Sequence, residues 1–453
     1  MRIYTTMPLA PDIKIIIIVL FSAIFFLIAA KKPNFAGLFE FFGLCGIFLF
    51  SFFILLNVGI AIFGMVMTII FFIAYKIAKR DYSLPETGFN IPVLIYAGIV
   101  LASFFWTYDA FGSINQGGEI VYFFAFFFAV AGLLKTEKRI NLMIGAFAFS
   151  SGIAILYGLI QGLFYINALH SVNRVTGPIG NWTGFPVQVS FGIVVLLCFY
   201  VLYTTFSCRL RNFIALLLIF AGLLDVVMSK ARSAWIGIIP ALLVLIYLKS
   251  KKMFAVILVI IVIFNGVFFL ASKTFRARIF SMVNSKVYSF SSKSHGDIES
   301  HLALIESSWK VFKRFPLTGV GVGAFSKYFD THEDVRYPWY INPKTGKKTY
   351  DLYDDWPENG YMQTLAETGI FSFIVLMWFF FEGIRRPIRS FREKGGLFKK
   401  KAAMAALGAS IVFYGSFLGV SNMSNNELSS LWLFFLAVFA ASNLAINPRV
   451  DVE

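Results

Sequence analysis

The chain is short of charge. Only 14% of its residues are Asp, Glu, Lys or Arg, against roughly 25% in an average soluble domain, which excludes an ordinary water-soluble fold. Cysteine is scarce too. Cys45 and Cys198 lie inside apolar runs and Cys208 at the edge of another, so a disulfide framework is excluded. The four histidines, His170, His295, His301 and His332, show no metal-ligand spacing, and no catalytic metal is expected. Met1 to Ile13 lack the basic start and small-residue cleavage site of a signal peptide, so the first apolar segment is expected to stay. No internal repeat or pair of matching halves is visible, which argues against a transporter built from repeated bundles.

What the chain has is apolar length. Hydrophobic residues make up 58% of it and Phe alone 55 positions. Thirteen apolar stretches recur, at about 13–30, 38–56, 58–77, 91–107, 119–134, 141–165, 186–206, 213–228, 234–249, 253–271, 361–383, 402–421 and 430–447. A helix of about 20 residues crosses about 30 Å of hydrocarbon. The expectation is an all-α polytopic membrane protein with 12–13 spans. Its parts are residues 1–271 as the first helices, 272–360 as one large, partly helical hydrophilic loop, and 361–453 as the last helices.

The net charge of +16 does not point to nucleic acid, because of where it sits. Lys31-Lys32, Lys76 to Arg80, Lys135 to Arg139, Arg209 to Arg211, Lys249 to Lys252 and Arg385 to Lys401 all flank apolar runs. This is the positive-inside pattern, which puts those loops in the cytoplasm. It leaves 168–185, 229–233, 272–360 and 422–429 on the outer face. The orientation of the N-terminus stays open. The large loop mixes 13 Lys and Arg with 10 Asp and Glu. Within it Ile298, Leu302, Ile305, Trp309 and Phe312 keep helical spacing, predicting an amphipathic helix from Ile298 to Arg314, with Asp297 as a start cap and Pro316 as a stop.

Four outer-face features can carry chemistry. Ser229-Lys230-Ala231-Arg232-Ser233 joins two apolar helices with almost no spare residues. Arg at a helix centre costs about 2.5–3.5 kcal/mol on insertion scales. Arg232 therefore either snorkels to the headgroups or grips a diphosphate through its guanidinium. Asp225, seven residues earlier, would share its helical face and either orient or pair with it. Arg174 lies in a Gly/Pro-rich loop ahead of a helix near Pro186. Gly319-Val320-Gly321-Val322-Gly323 lacks the phosphate-loop spacer and its Gly-Lys-Ser/Thr ending. Amides of Gly319 and Gly321 can face an anion, or the segment is a tight turn. Glu358-Asn359-Gly360 ends the loop where a lipid-borne substrate would meet the protein. There Glu358 is either a general base or a helix cap.

These stretches resemble the O-antigen ligase and polymerase superfamily. Arg174 with Gly177 and Asn181 looks like its Arg-x-x-Gly-x-x-x-Asn loop, and Ser229 to Gly237 like its Ser-Arg-x-x-Trp-x-Gly junction. Trp309 with Phe315 to Gly323 is similar to its Trp and Pro-Leu-x-Gly-x-Gly segment, and Glu358 to Gly369 to its His-Asn-x-Tyr-Leu…Glu-x-Gly segment. Two positions depart from the pattern: Glu358 stands where the family has histidine, and His301 where it has arginine.

The resemblance implies a GT-C-like bacterial inner-membrane enzyme with a periplasmic active site. It would move a glycan from undecaprenyl diphosphate to a hydroxyl on a glycan or lipid A-core acceptor, without metal or cofactor. Glu358, Arg232 and Arg174 would be catalytic, and Lys230, His301, Asn359, Gly319 and Gly321 would bind substrate. Other polysaccharide-assembly proteins are possible partners, and nucleic acid is not. An exporter or flippase, or a non-catalytic assembly scaffold, is the alternative.

Overall fold

The structure is a computed structural model that describes residues 35–167, 173–202, 209–256, 258–259, 297–335, 340–341, 348–349, 359–393, 395–419, 423 and 426–446. The expected segments at 13–30 and, beyond residue 259, at 253–271 lie outside the described residues, as do Glu358 and the side chain of His301.

Among the described residues the secondary-structure elements are helices apart from a two-residue antiparallel ladder, β1 (Tyr340–Ile341) with β2 (Lys348–Thr349). Before the large loop come α1 (Ala36–Phe53), α2 (Val58–Lys79), α3 (Asn90–Ala102), α4 (Ala110–Leu133) and α5 (Glu137–Ile160). They are followed by α6 (Gly184–Val195), α7 (Arg209–Ser229) and α8 (Arg232–Lys249). The loop contributes α9 (Asp297–Arg314) and α10 (Phe325–Thr331), and the chain ends with α11 (Gly360–Arg392), α12 (Leu397–Ser416) and α13 (Asn426–Ile446). Among the described residues nine helices are long and apolar enough to cross a membrane. The protein is a polytopic all-α membrane protein.

Apolarity on all sides sorts the helices. A helix with no polar face belongs inside a bundle or in lipid, and α6 and α13 take the inside. Val187, Phe191, Val194, Trp432, Phe434 and Leu436 are almost wholly buried. Phe41, Phe63, Phe149 and Phe220 on the outer helices are more than half exposed, as side chains facing lipid should be. At the centre the Trp432 indole stacks on Phe413, with ring centroids 4.6 Å apart. Its N–H donates to Ser410 Oγ at 3.0 Å, which removes the penalty of an unpaired buried donor.

Several boundaries move from those expected. The span expected at 119–134 starts at Ala110, because Gly, Ser and Gln at its beginning hide a helix whose Ser113 and Gln116 are buried against the loop. The span at 91–107 ends early: α3 stops at Ala102, followed by a tight turn at Ser103–Phe105. The last turns of α11 run past 383 to Arg392, beyond its apolar part.

The loop helix forms where the periodicity predicts, but it buries a different face. Ala303, Leu304, Ser307, Ser308 and Val311 are buried, whereas Trp309 is 38% exposed. Small side chains let the helix approach α11 closely. The two serine hydroxyls return to carbonyls of their own helix, Ser307 to Ala303 at 2.8 Å and Ser308 to Leu304 at 2.7 Å. Beside this face Val311, Val320, Phe325, Tyr328, Phe329 and Ala366 form a small separate core.

Candidate functional site

The end of the bundle opposite the basic loops is assembled from four segments. The first is the loop before α6. Gln161, which opens the wide helical turn Gln161–Tyr165 that follows α5, accepts from the amides of Thr176 (3.1 Å) and Gly177 (3.0 Å) and donates to Thr176 Oγ1 at 3.0 Å. Asn181 Oδ1 gathers the amides of Thr183 and Gly184, both at 3.0 Å, and the Thr183 hydroxyl at 2.8 Å. The same loop is tied to the last helix: Asn181 hydrogen-bonds the Glu427 carboxylate, which also accepts from Gln188 Nε2 at 3.1 Å. On this anchored loop the Arg174 guanidinium lies over the Trp182 ring, 4.1 Å from its centroid. Cation–π stacking of this kind fixes the plane of the arginine.

The second segment is the α7–α8 junction. The helix ends at Ser229, Lys230 adopts a left-handed φ of 58°, and Ala231 is extended. Such a φ is uncommon for a residue other than glycine. It turns the chain so that Lys230 Nζ donates to the carbonyl of Asn173 at 3.2 Å. The Val175 amide meets the Met228 carbonyl at 3.5 Å. Lys230 is thus placed directly beside the segment bearing Arg174. Arg232 is exposed at the first position of α8. A cation there opposes the helix dipole by about 0.3–1 kcal/mol, so Arg232 is not where local helix stability would put it. Helix amides and guanidinium together make a region that favours anions.

The break in the helix also overturns the expected link between Asp225 and Arg232. Asp225 is buried in the bundle against Gly158 and Phe185, and its carboxylate oxygens have no hydrogen-bond partner among the described residues. A shared face required one continuous helix, and the chain turns at Lys230.

The third segment joins the end of the large loop to α12. Asn359 caps α11, accepting from the Met362 amide at 3.1 Å and donating to the Leu418 carbonyl at 3.3 Å. Beside it the Gly360 amide donates to the Phe417 carbonyl at 2.9 Å, and a Cβ on Gly360 would strike the Phe417 ring. One residue further on, a Cβ on Gly419 would lie 3.2 Å from that of Ser233. Residues 417–419 therefore bring Asn359 and the Arg232–Ser233 pair to one place. Contact between the backbones of α8 and α12 at Gly237 and Gly415 makes that approach possible.

The fourth segment is the glycine-rich run. Its amides are used within the protein: Gly319 donates to Phe315 at 3.0 Å, Val320 to Ala366 at 3.0 Å and Gly321 to Glu367 at 2.8 Å. In return the Val320 carbonyl accepts from Tyr108 at 2.8 Å, and Trp106 Nε1 reaches the Thr318 carbonyl at 3.1 Å. Gly319 and Gly321 have φ of 64° and 103°, and Gly369, where α11 breaks, has 75°. A Cβ on Gly319 would meet the Glu367 backbone, and one on Gly369 that of Leu317. The run is a clamp between the α3–α4 turn and the break in α11, and both amides expected to face a substrate anion already have carbonyl partners.

The structure brings Arg174, Lys230, Arg232 and Asn359 to one end of the bundle and sets Gly319 and Gly321 in the clamp. The sequence reading missed Trp182, Gln161, Gln188 and Glu427. Of these, Glu427 carried a signal, an acid at the opening of an otherwise apolar span. Glu367 was equally legible as an acid in an apolar helix. It is almost fully buried and accepts from Gln363 Nε2 at 3.0 Å.

The fold is thus a polytopic membrane bundle with cationic side chains gathered at the end away from its basic loops. Residues 215–377 match the family model described as O-antigen ligase, Wzy_C. The match takes in the α7–α8 junction, the clamp and the start of α11, and it supports placing the chain in the O-antigen ligase/polymerase superfamily. No curated protein matches the chain.

Proposed function

We propose that this protein transfers a glycan from undecaprenyl diphosphate to a hydroxyl acceptor at the outer face of the bacterial inner membrane. The observation that carries the reading is the convergence of Arg174, Lys230 and Arg232 beside Asn359, largely within the region matched by the ligase family. A diphosphate is already an activated leaving group. What it needs is positive charge held where negative charge grows as the anomeric bond breaks.

In this reading Arg232 and the start of α8 face the departing diphosphate, and Arg174, held flat on Trp182, receives its second phosphate. Lys230 adds charge while fixing the Asn173 carbonyl. Glu358, which precedes the docked Asn359 in sequence, takes the proton of the acceptor hydroxyl as that oxygen attacks the anomeric carbon. Once charged, His301 would also bind phosphate.

The burial of the central helices supports transfer over transport. Few charges line the interior of the described bundle, and the unusual cations collect at one end. Deleting the gene from the producing bacterium tests the proposal and separates its two forms. Long glycan left on its lipid carrier marks a ligase, and single repeats without long chains mark a polymerase. Accumulation of donor on the cytoplasmic side would replace transfer with export.

A further inference from the structure

The other end of the bundle carries an arginine-lined groove. The last turns of α11 border a groove of about 650 Å³ lined by Phe381, Ile384, Arg385, Ile388, Arg389, Arg392 and Glu393. Positions 381, 385, 388 and 392 recur at the three-to-four-residue spacing of one helical face. From the break at Gly369 to Arg392 the helix extends about 35 Å. That exceeds the roughly 30 Å of hydrocarbon, so Arg389 and Arg392 reach headgroup level, Arg385 extends its side chain toward them from about 24 Å, and Phe381 and Ile384 stay at acyl depth.

The charge of this face is only partly neutralised. Glu382 is buried and takes both Arg385, at 2.8 Å, and Arg386, at 2.7 Å. Glu393 is shared by Arg389 at 3.3 Å and Lys399 at 3.5 Å. Arg392 is exposed and forms no ion pair among the described residues. Arg389 is 75% exposed despite its pairing, and Phe381 beside the groove is 60% exposed. Two carboxylates thus answer five cations, next to an uncovered apolar wall.

We propose that this groove binds one anionic glycerophospholipid from the inner leaflet. The headgroup phosphate sits among Arg385, Arg389 and Arg392, and the acyl chains lie along Phe381, Ile384 and Ile388. Guanidinium forks suit phosphate oxygens, and clustered arginines just inside a span attract anionic lipid. The site does not depend on the glycan-transfer reading.

The test is native mass spectrometry of the detergent-purified full chain titrated with phosphatidylglycerol, and separately with phosphatidylcholine. Wild type should retain phosphatidylglycerol in preference. Arg389→Gln with Arg392→Gln should weaken that retention by about fivefold for each arginine removed. Arg389→Lys with Arg392→Lys should keep most of it, which separates loss of the site from loss of the fold. Lys251→Gln with Lys252→Gln removes the same charge from another inner loop and should change little. Equal retention of phosphatidylcholine, unchanged binding in the double glutamine variant, or an equal loss in the lysine-loop variant would overturn the proposal.

Discussion

Asn359 holds the Leu418 carbonyl with its side-chain amide at 3.3 Å while its oxygen caps α11. One side chain thereby fixes both the start of a membrane helix and the end of the hydrophilic loop against α12. Next along, Gly419 lies against Ser233, so the contact also sets where Arg232 stands relative to the loop end.

Asn359→Ala removes the cap and the bridge together. Loss of a cap costs about 1 kcal/mol, which should lower the unfolding temperature of the detergent-purified protein modestly. Glycan transfer should fall much further than stability. Asn359→Asp keeps the capping oxygen, and it should restore stability but not transfer. Equal activity in all three proteins would leave the bridge with no part in the site.

Stacking of Arg174 on Trp182 predicts graded behaviour. Trp182→Phe keeps a ring and should retain most activity, while Trp182→Ala should raise the KM for the lipid-linked donor. A cation–π contact at a partly exposed site is worth about 0.5–1 kcal/mol, hence a change of about two- to fivefold. Steady-state kinetics with varied donor reads this directly, and a change in kcat alone would contradict it.

The clamp predicts which glycines tolerate a methyl group. Gly321→Ala would drive a Cβ into Thr107 at a φ of 103°, and Gly369→Ala one into Leu317 at 75°. Each should destabilise by about 1–3 kcal/mol and reduce the yield of folded protein. Gly118 faces open space within α4, so Gly118→Ala should be neutral or slightly stabilising. Thermal unfolding of the three variants makes the comparison.

How legible these parts were depends on range. The helices were readable because an apolar run long enough to span a membrane has few other structures open to it. The loop helix was readable from its period, yet its buried face was not. The larger apolar residues Ile305, Trp309 and Phe312 suggested one side, and packing against α11 selected the face of Ala303, Leu304, Ser307, Ser308 and Val311. Arg174 and Arg232 stood out as cations on the face where the charge rule predicts few. Gln161, Gln188 and Glu427 act through partners far away in sequence, and no local pattern marks such pairs. The break at Gly369 was hidden for the same reason, since its cause is the Leu317 backbone packed against it.

Asp225 makes a prediction of the opposite sign. A buried carboxylate without a hydrogen-bond partner is a burden on the fold. Asp225→Asn should therefore leave the unfolding temperature unchanged or raise it, with transfer retained. A pronounced loss of stability would show that the carboxylate serves an interaction the neutral amide cannot replace.

The most direct test reconstitutes the purified protein in liposomes with an undecaprenyl-diphosphate-linked glycan and a hydroxyl acceptor, and measures transferred glycan together with released lipid diphosphate. The account predicts both products in equal amounts from wild type and neither from Arg232→Ala or Glu358→Gln, each inserted at normal levels. Transfer at the wild-type rate by Arg232→Ala, or none by wild type, would contradict it.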